Sequence, residues 1–240
     1  MNTINDAPLV WLQNKKTSVH KDGNAVNCLL PNGVLQETLA FHAQLPGYAI
    51  TPLKRLSNLA SRLGLGEIWV KDESDRMRLN AFKALGGSFA IYRFICRELG
   101  VSRLAFSELM AAEVRARLGK ITFASATDGN HGKGLAWAAQ KLRFPCIIYV
   151  HKQTSQARID SIREYGAKVR IVDGNYDDAV RQCEQEARAN GWQVVSDTAW
   201  PGYEDIPRWV MQGHTTLLSE TQEQLAYQGI MKPTHIFLQA

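Results

Sequence analysis

The sequence predicts an α/β protein built on a mainly parallel sheet, and three observations carry that expectation. From about Lys120 onward, short runs of β-branched and aromatic residues alternate with helix-length amphipathic segments. Glycines close several of those segments. The 240 residues are 45% hydrophobic, enough to fill a core. Such alternation implies right-handed βαβ crossovers, a sheet covered on both faces, and ligands at the carboxyl ends of the strands.

The elements follow in order. "EIWVKDES" (67–74) reads as a strand leaving the turn at Gly64 and Gly66, and "KALGGSFAIYRFICREL" (83–99) as a helix that Lys83 opens and Gly100 ends. "ITFASAT" (121–127) is a strand stopping at a Gly-Asn-His-Gly turn, and "KGLAWAAQKL" (133–142) is the helix after it. "CIIYV" (146–150) reads as a buried strand, followed by a helix over 155–166 with Ser155 as N-cap and Gly166 as C-cap. A strand over 167–172, a helix over 175–191 closed by Gly191, and a strand over 192–197 complete the alternation. A helix through roughly 208–228 then leads by way of Pro233 into "THIFLQA" (234–240), an apolar strand with no helix after it. There is no internal repeat and no low-complexity tract.

Composition narrows the function classes. Lys and Arg number 28 against 23 acidic residues, but the charges are scattered without a like-charge run, which argues against nucleic-acid binding. A small anionic ligand suits this excess equally well. Cys28, Cys96, Cys146 and Cys183 show no paired spacing, and three lie in apolar surroundings typical of free thiols. The amino terminus lacks the apolar core of a signal peptide, and no segment is long enough to cross a bilayer. A soluble, cytoplasmic protein without membrane or nucleic-acid partners is expected.

Two stretches carry chemistry. In "LNAFKALGGSFA" (79–90), Lys83 stands alone between small and apolar residues, with little polar company expected. Desolvation and the positive end of its helix would both favour the neutral, nucleophilic amine, and Gly86 and Gly87 would let the backbone approach a flat group. A surface lysine with its stem on apolar neighbours is the other reading. "TDGNHGKG" (127–134) lies between a strand end and a helix start, a place suited to anions and cofactors. It also reads as a plain strand-to-helix turn. Neither the P-loop nor the dinucleotide fingerprint fits its glycine spacing. The six histidines show no metal-ligand spacing, no G-x-S-x-G elbow occurs, and His131 reads as a turn residue.

Taken together, the lysine and the Gly-Asn turn resemble the fold-type II pyridoxal phosphate enzymes, the tryptophan synthase β-like superfamily, and within it the 2,3-diaminopropionate ammonia-lyases. The resemblance runs through "TPL" at Thr51, "VKDES" at Val70, "LNAFKALGG", "TFASATDGNHGKGLAWAAQ", "NYDD" at Asn175, "SDTAWPGY" at Ser196, "IPRWVMQG" at Ile206 and "PTHIFLQA". Serine and threonine dehydratases usually carry serine two residues before the lysine, where this chain has Ala81. The resemblance implies that Lys83 binds pyridoxal 5'-phosphate covalently, with Gly129, Asn130 and Gly132 on the cofactor and Asn130 bonded to its phenolic oxygen. It implies that Lys83 takes the α-proton of the L isomer and Asp128 that of the D isomer, while Thr127 and Asp197 bind the small amino-acid substrate. The reaction implied is α,β-elimination of D- and L-2,3-diaminopropionate to pyruvate and two ammonia, by a homodimer.

In that family the pattern continues beyond "LQA" into a glycine-rich phosphate loop, so a truncated chain is expected. Residues 1–76 would be the amino-terminal segment of a large domain, 77–229 a small α/β domain, and 230–240 the first returning strand of the incomplete large domain. A non-catalytic remnant, or another pyridoxal-phosphate-dependent dehydratase or ammonia-lyase, are the alternatives.

Overall fold

A computed structural model of the chain describes residues 29–238. Cys28 and the final two residues of the expected terminal strand lie outside them. The chain opens with helix α1 (Val34–His42), strand β1 (Leu53–Arg55), helix α2 (Ser57–Leu63) and strand β2 (Trp69–Lys71), the two strands pairing antiparallel. After a 3-10 turn (Glu73–Arg78) comes α3 (Lys83–Leu99), then short helices α4 (Phe106–Leu109) and α5 (Ala112–Leu118). The alternating region follows: β3 (Phe123–Ala126), α6 (Asn130–Lys141), β4 (Cys146–His151), α7 (Gln156–Arg163), β5 (Lys168–Val172), α8 (Tyr176–Asn190) and β6 (Gln193–Val194). Helix α9 (Asp205–Tyr227) ends the regular structure.

The main sheet is parallel in the order β5-β4-β3-β6. Side chains alternate across it, as the pleat requires. Phe123, Ile148 and Val150 join the core that contains α3 and α6, whereas Ala124, Ala126, Ile147 and Tyr149 pack on Ala179 and Cys183 of α8. Both faces are therefore covered, as parallel sheets require. Gly100 and Gly191 end α3 and α8 with φ of 68° and 67°, the left-handed conformation that glycine adopts without a Cβ clash. Asn175 caps α8 by accepting the Asp178 N–H, and Asp178 returns a bond to the Asn175 N–H. Ser155 holds the N-cap position of α7 but makes no capping bond, and the C-cap is Glu164, two residues before the expected Gly166.

Helices α3, α6 and α9 approach one another through glycines. A Cβ on Gly134 would stand 2.7 Å from Ala84 N, and one on Gly213 would stand 2.5 Å from Leu85 O. The expected role of Gly86 and Gly87 is corrected by the same geometry. A Cβ on Gly86 would meet Val210 O at 2.8 Å and one on Gly87 would meet Leu135 Cα at 3.3 Å, so both glycines serve helix packing.

The amino-terminal elements share this core across positions 76 and 77. Phe41 stacks on Tyr92 with centroids 4.3 Å apart, and Val34 and Leu45 join Leu85 and Phe89. Arg76 is fully buried and bonds both oxygens of Glu220, with Nη1–Oε1 2.8 Å and Nη2–Oε2 2.7 Å, while also binding Glu73 and the Ala49 carbonyl. Between that anchor and Lys83, Met77, Arg78 and Asn80 all have left-handed φ of 52°, 60° and 57°.

One expected element does not form among the described residues. Residues 234–238 pair with no strand among the described residues, and Ile236 and Phe237 are exposed. An apolar run becomes a strand only beside a hydrogen-bonding neighbour, and neither edge of the described sheet supplies one. Among the described residues, no helix is long and apolar enough to cross a membrane, and Cys96, Cys146 and Cys183 are buried free thiols.

Candidate active site

The carboxyl ends of three adjacent strands deliver the expected residues to one edge of the sheet. β3 leads into Thr127 and Asp128, β4 ends at His151, and β6 leads through Val195 to Asp197. The amino ends of α3 and α6 face the same edge, since Gly134 of α6 packs on the backbone of Lys83 and Ala84. This is where ligands of parallel sheets are held.

Lys83 donates to Asp197 across 2.9 Å, with the two side chains 29% and 26% exposed. The expectation that the amine has little polar company is corrected: it has a carboxylate partner, supplied by a segment that propensity cannot bring near it. His131, read from the sequence as a turn residue, is instead a buried member of the site. Its Nε2 donates to the Val195 carbonyl at 2.9 Å, and its Nδ1, buried without a hydrogen-bond partner, lies 3.7 Å from Asp197 Oδ2. Burial by itself would raise the Asp197 carboxyl, but the charge of His131 and the hydrogen bond from Lys83 outweigh it and hold the group below the usual aspartate range.

The Asp197 segment is braced locally. The Tyr203 hydroxyl donates to Val194 O at 2.9 Å and accepts the Ser196 N–H at 2.9 Å, while its ring stacks on Trp200. "SDTAWPGY" is thus a closed loop that presents one carboxylate.

Thr127 is 5% exposed, and its hydroxyl oxygen accepts the Gly129 N–H at 3.1 Å and the Gly132 N–H at 3.2 Å. That closes the loop from within and gives Thr127 a structural role beside the expected substrate contact. Gly129 has φ 153° and ψ −79°, open to glycine alone, and a Cβ on Gly132 would stand 2.4 Å from Thr127 Cγ2. Asn130 opens α6, is exposed, and makes no side-chain hydrogen bond among the described residues. Asp128 is 64% exposed, and its Oδ1 lies 3.1 Å from His151 Nε2. Tyr176, at the start of α8, has its hydroxyl pushed upward by burial first and then by the negative charges of Asp197 and Asp128, so both carboxylates lie near it.

Phe82 and His214 complete one wall, the His214 ring meeting Phe82 edge-on with centroids 5.0 Å apart. His214 Nε2 is buried without a partner, and burial followed by the charge of Lys83 pushes the ring down to about 3. Sequence reasoning missed His131, His151, Tyr176 and His214. Only His131 carried a local signal, its place inside the Gly-Asn loop. Among the described residues no group of three or more His, Cys, Asp or Glu is placed to hold a metal.

The diaminopropionate ammonia-lyase of Salmonella typhimurium is 48% identical over 214 residues, 88% of this chain and 53% of that protein. The apo crystal structure of the Escherichia coli diaminopropionate ammonia-lyase matches with a TM-score of 0.82 at 46% identity, covering 88% of this chain and 57% of that one. The same enzyme in complex with an aminoacrylate-PLP azomethine reaction intermediate matches with a TM-score of 0.78 at 44% identity, over 86% and 51%. This chain spans about half the length of the curated relatives it matches. A family profile described as "Pyridoxal-phosphate dependent enzyme" matches residues 45–240, and the chain belongs to that family.

Proposed function

We propose that this chain carries the catalytic lysine of a pyridoxal-phosphate-dependent ammonia-lyase that converts D- and L-2,3-diaminopropionate, with one water, to pyruvate and two ammonia. One observation carries the reading: a primary amine, Lys83, and a separate carboxylate, Asp128, are brought to the same sheet edge, with Asp197 bonded to the amine. The similarity to diaminopropionate ammonia-lyases supports the substrate.

The residues fit the cofactor. Lys83 supplies an amine at a helix start, the exposed amide of Asn130 is unengaged among the described residues, and His131 and His214 each hold a buried ring nitrogen without a hydrogen-bond partner. Pyridoxal phosphate, when bound, supplies an electron sink for bond breaking at the substrate α-carbon. Lys83 would hold that group and would take the α-proton of the L isomer. Asp128 takes the α-proton of the D isomer. Asp197 would accept the substrate ammonium, with His131 behind it, and Asn130 would bond the cofactor's phenolic oxygen. Gly129 and Gly132 would shape the loop that holds the cofactor. The β-amino group leaves as the first ammonia, and hydrolysis of the remaining carbon–nitrogen bond yields pyruvate and the second. The buried free thiols favour a reducing cytoplasm, and the homodimer implied by the resemblance belongs to the same reading.

The test is to mix the purified chain with pyridoxal phosphate, reduce with borohydride and locate the pyridoxyl group by peptide mass spectrometry. A single label on Lys83, absent from Lys83→Ala, together with two ammonia per pyruvate from diaminopropionate, is expected. Labels scattered over other lysines would overturn the assignment.

A further inference from the structure

The end of β4 places a histidine against the candidate base. In the parallel register Ala126 lies opposite Tyr149, and the Thr127 N–H donates to the Tyr149 carbonyl at 3.0 Å. Asp128 and His151 therefore leave the sheet side by side, with Oδ1 and Nε2 3.1 Å apart. The other ring nitrogen, Nδ1, lies 3.2 Å from the Gln153 backbone nitrogen. A backbone N–H can only donate, so Nδ1 is the acceptor and the hydrogen of the neutral ring sits on Nε2. The turn after β4 thereby sets the tautomer that places a donor nitrogen beside Asp128.

We infer that His151 is a positioning residue for Asp128, holding one carboxylate oxygen so that the other meets the α-proton of the D isomer; this rests on the ammonia-lyase reading above. Asp128 is 64% exposed and would otherwise sample several rotamers. The loop around it is held from the other side as well. Arg158 Nη1 donates to the Asp128 carbonyl at 3.2 Å, and its Cδ lies 3.2 Å from where a Cβ on Gly129 would stand. Tyr176 is a further titratable side chain that senses the Asp128 charge. A half-exposed pair of this kind adds little to folding, so its effect falls on the geometry of the base. The L isomer, served by Lys83, does not use it.

The test compares His151→Leu and His151→Gln with the parent chain, all loaded with pyridoxal phosphate. The measurement is exchange of the α-hydrogen of D- and L-2,3-diaminopropionate in deuterium oxide. His151→Leu should lower the D-to-L rate ratio about 3- to 10-fold, the worth of one hydrogen bond. His151→Gln, whose amide N–H can reach the same oxygen, should restore most of it. An unchanged ratio in His151→Leu overturns the inference. Long-range proton–nitrogen NMR of the cofactor-free chain gives a second readout: protonated Nε2 and bare Nδ1 on His151, with the Nε2 resonance moved by Asp128→Asn. A hydrogen on Nδ1 in a chain that exchanges both isomers overturns this inference alone. Exchange of neither isomer, with no label on Lys83, overturns the ammonia-lyase reading and this assignment with it.

Discussion

Lys83 and Asp197, 114 residues apart in sequence, meet across 2.9 Å because α3 begins where the segment after β6 ends. The pair sets a pH dependence. The Asp197 carboxyl is held below its ordinary value, so its contribution to stability is complete above the unfolded aspartate value of about 3.9 and is lost as pH falls through the lower folded value. Asp197→Asn should flatten stability against pH below about 4. Urea unfolding of both proteins through that range measures it, and identical slopes would refute the pairing.

His42 and His214 act in the opposite range. Burial is the main cause that pushes each ring down to about 3. His42 donates from Nε2 to Leu85 O at 3.0 Å and accepts the Thr216 hydroxyl on Nδ1 at 2.7 Å, a neutral arrangement. The unfolded chain takes up protons on both rings near pH 6.5 and the folded chain does not until about 3, so stability falls as pH drops between those values. His214→Leu removes one of the two sites. The slope of stability against pH between about 6 and 4 should then fall by up to about 1.4 kcal/mol per pH unit. Denaturation midpoints at successive pH values decide it.

Glu220 is 1% exposed and accepts from Arg76, Lys71 and Tyr48. Burial would raise its carboxyl, but those donors together hold it down at about 2. Glu220→Gln keeps the shape and leaves buried cations uncompensated, which costs about 3–5 kcal/mol. Chemical denaturation near neutral pH would show that loss; a change below about 1 kcal/mol would mean that water reaches the network. The left-handed backbone at Met77, Arg78 and Asn80 hangs from this anchor, so borohydride labelling of Lys83 should weaken in the same variant.

Gly134→Ala tests the helix contact beneath the lysine. The new Cβ would stand 2.7 Å from Ala84 N and 2.8 Å from Lys83 C, both backbone atoms with little freedom to yield. A loss of about 1–3 kcal/mol is expected, with reduced labelling of Lys83. Gly66→Ala meets nothing within 4 Å and should stay within about 0.5 kcal/mol of the parent. Equal behaviour of the two variants would show that α3 and α6 can separate freely.

Much of the fold was legible because its signals are local. The helix over 83–99 matches α3 residue for residue, since its apolar spacing and Gly100 stop both lie within the segment. The buried run at 146–150 became β4 and Gly191 closed α8 for the same reason. Residues 234–238 read as a strand on equally good local evidence and did not form one, because pairing is a property of two segments.

The site divides along the same line. The sequence by itself determined that Lys83 stands at the start of a helix and that the chain turns from a strand into a helix at Thr127 to Gly129, because capping, glycine conformation and apolar runs act over a few residues. Only the tertiary structure decided that Asp197 faces Lys83, that His131 lies buried beside Asp197, and that His151 lies against Asp128. It also turned Gly86 and Gly87 from a bed for a cofactor into helix contacts. Those outcomes depend on the strand order β5-β4-β3-β6 and its register, which bring distant segments to one edge of the sheet. Strand order is settled by which apolar faces bury one another across the whole core, and no local spacing encodes it.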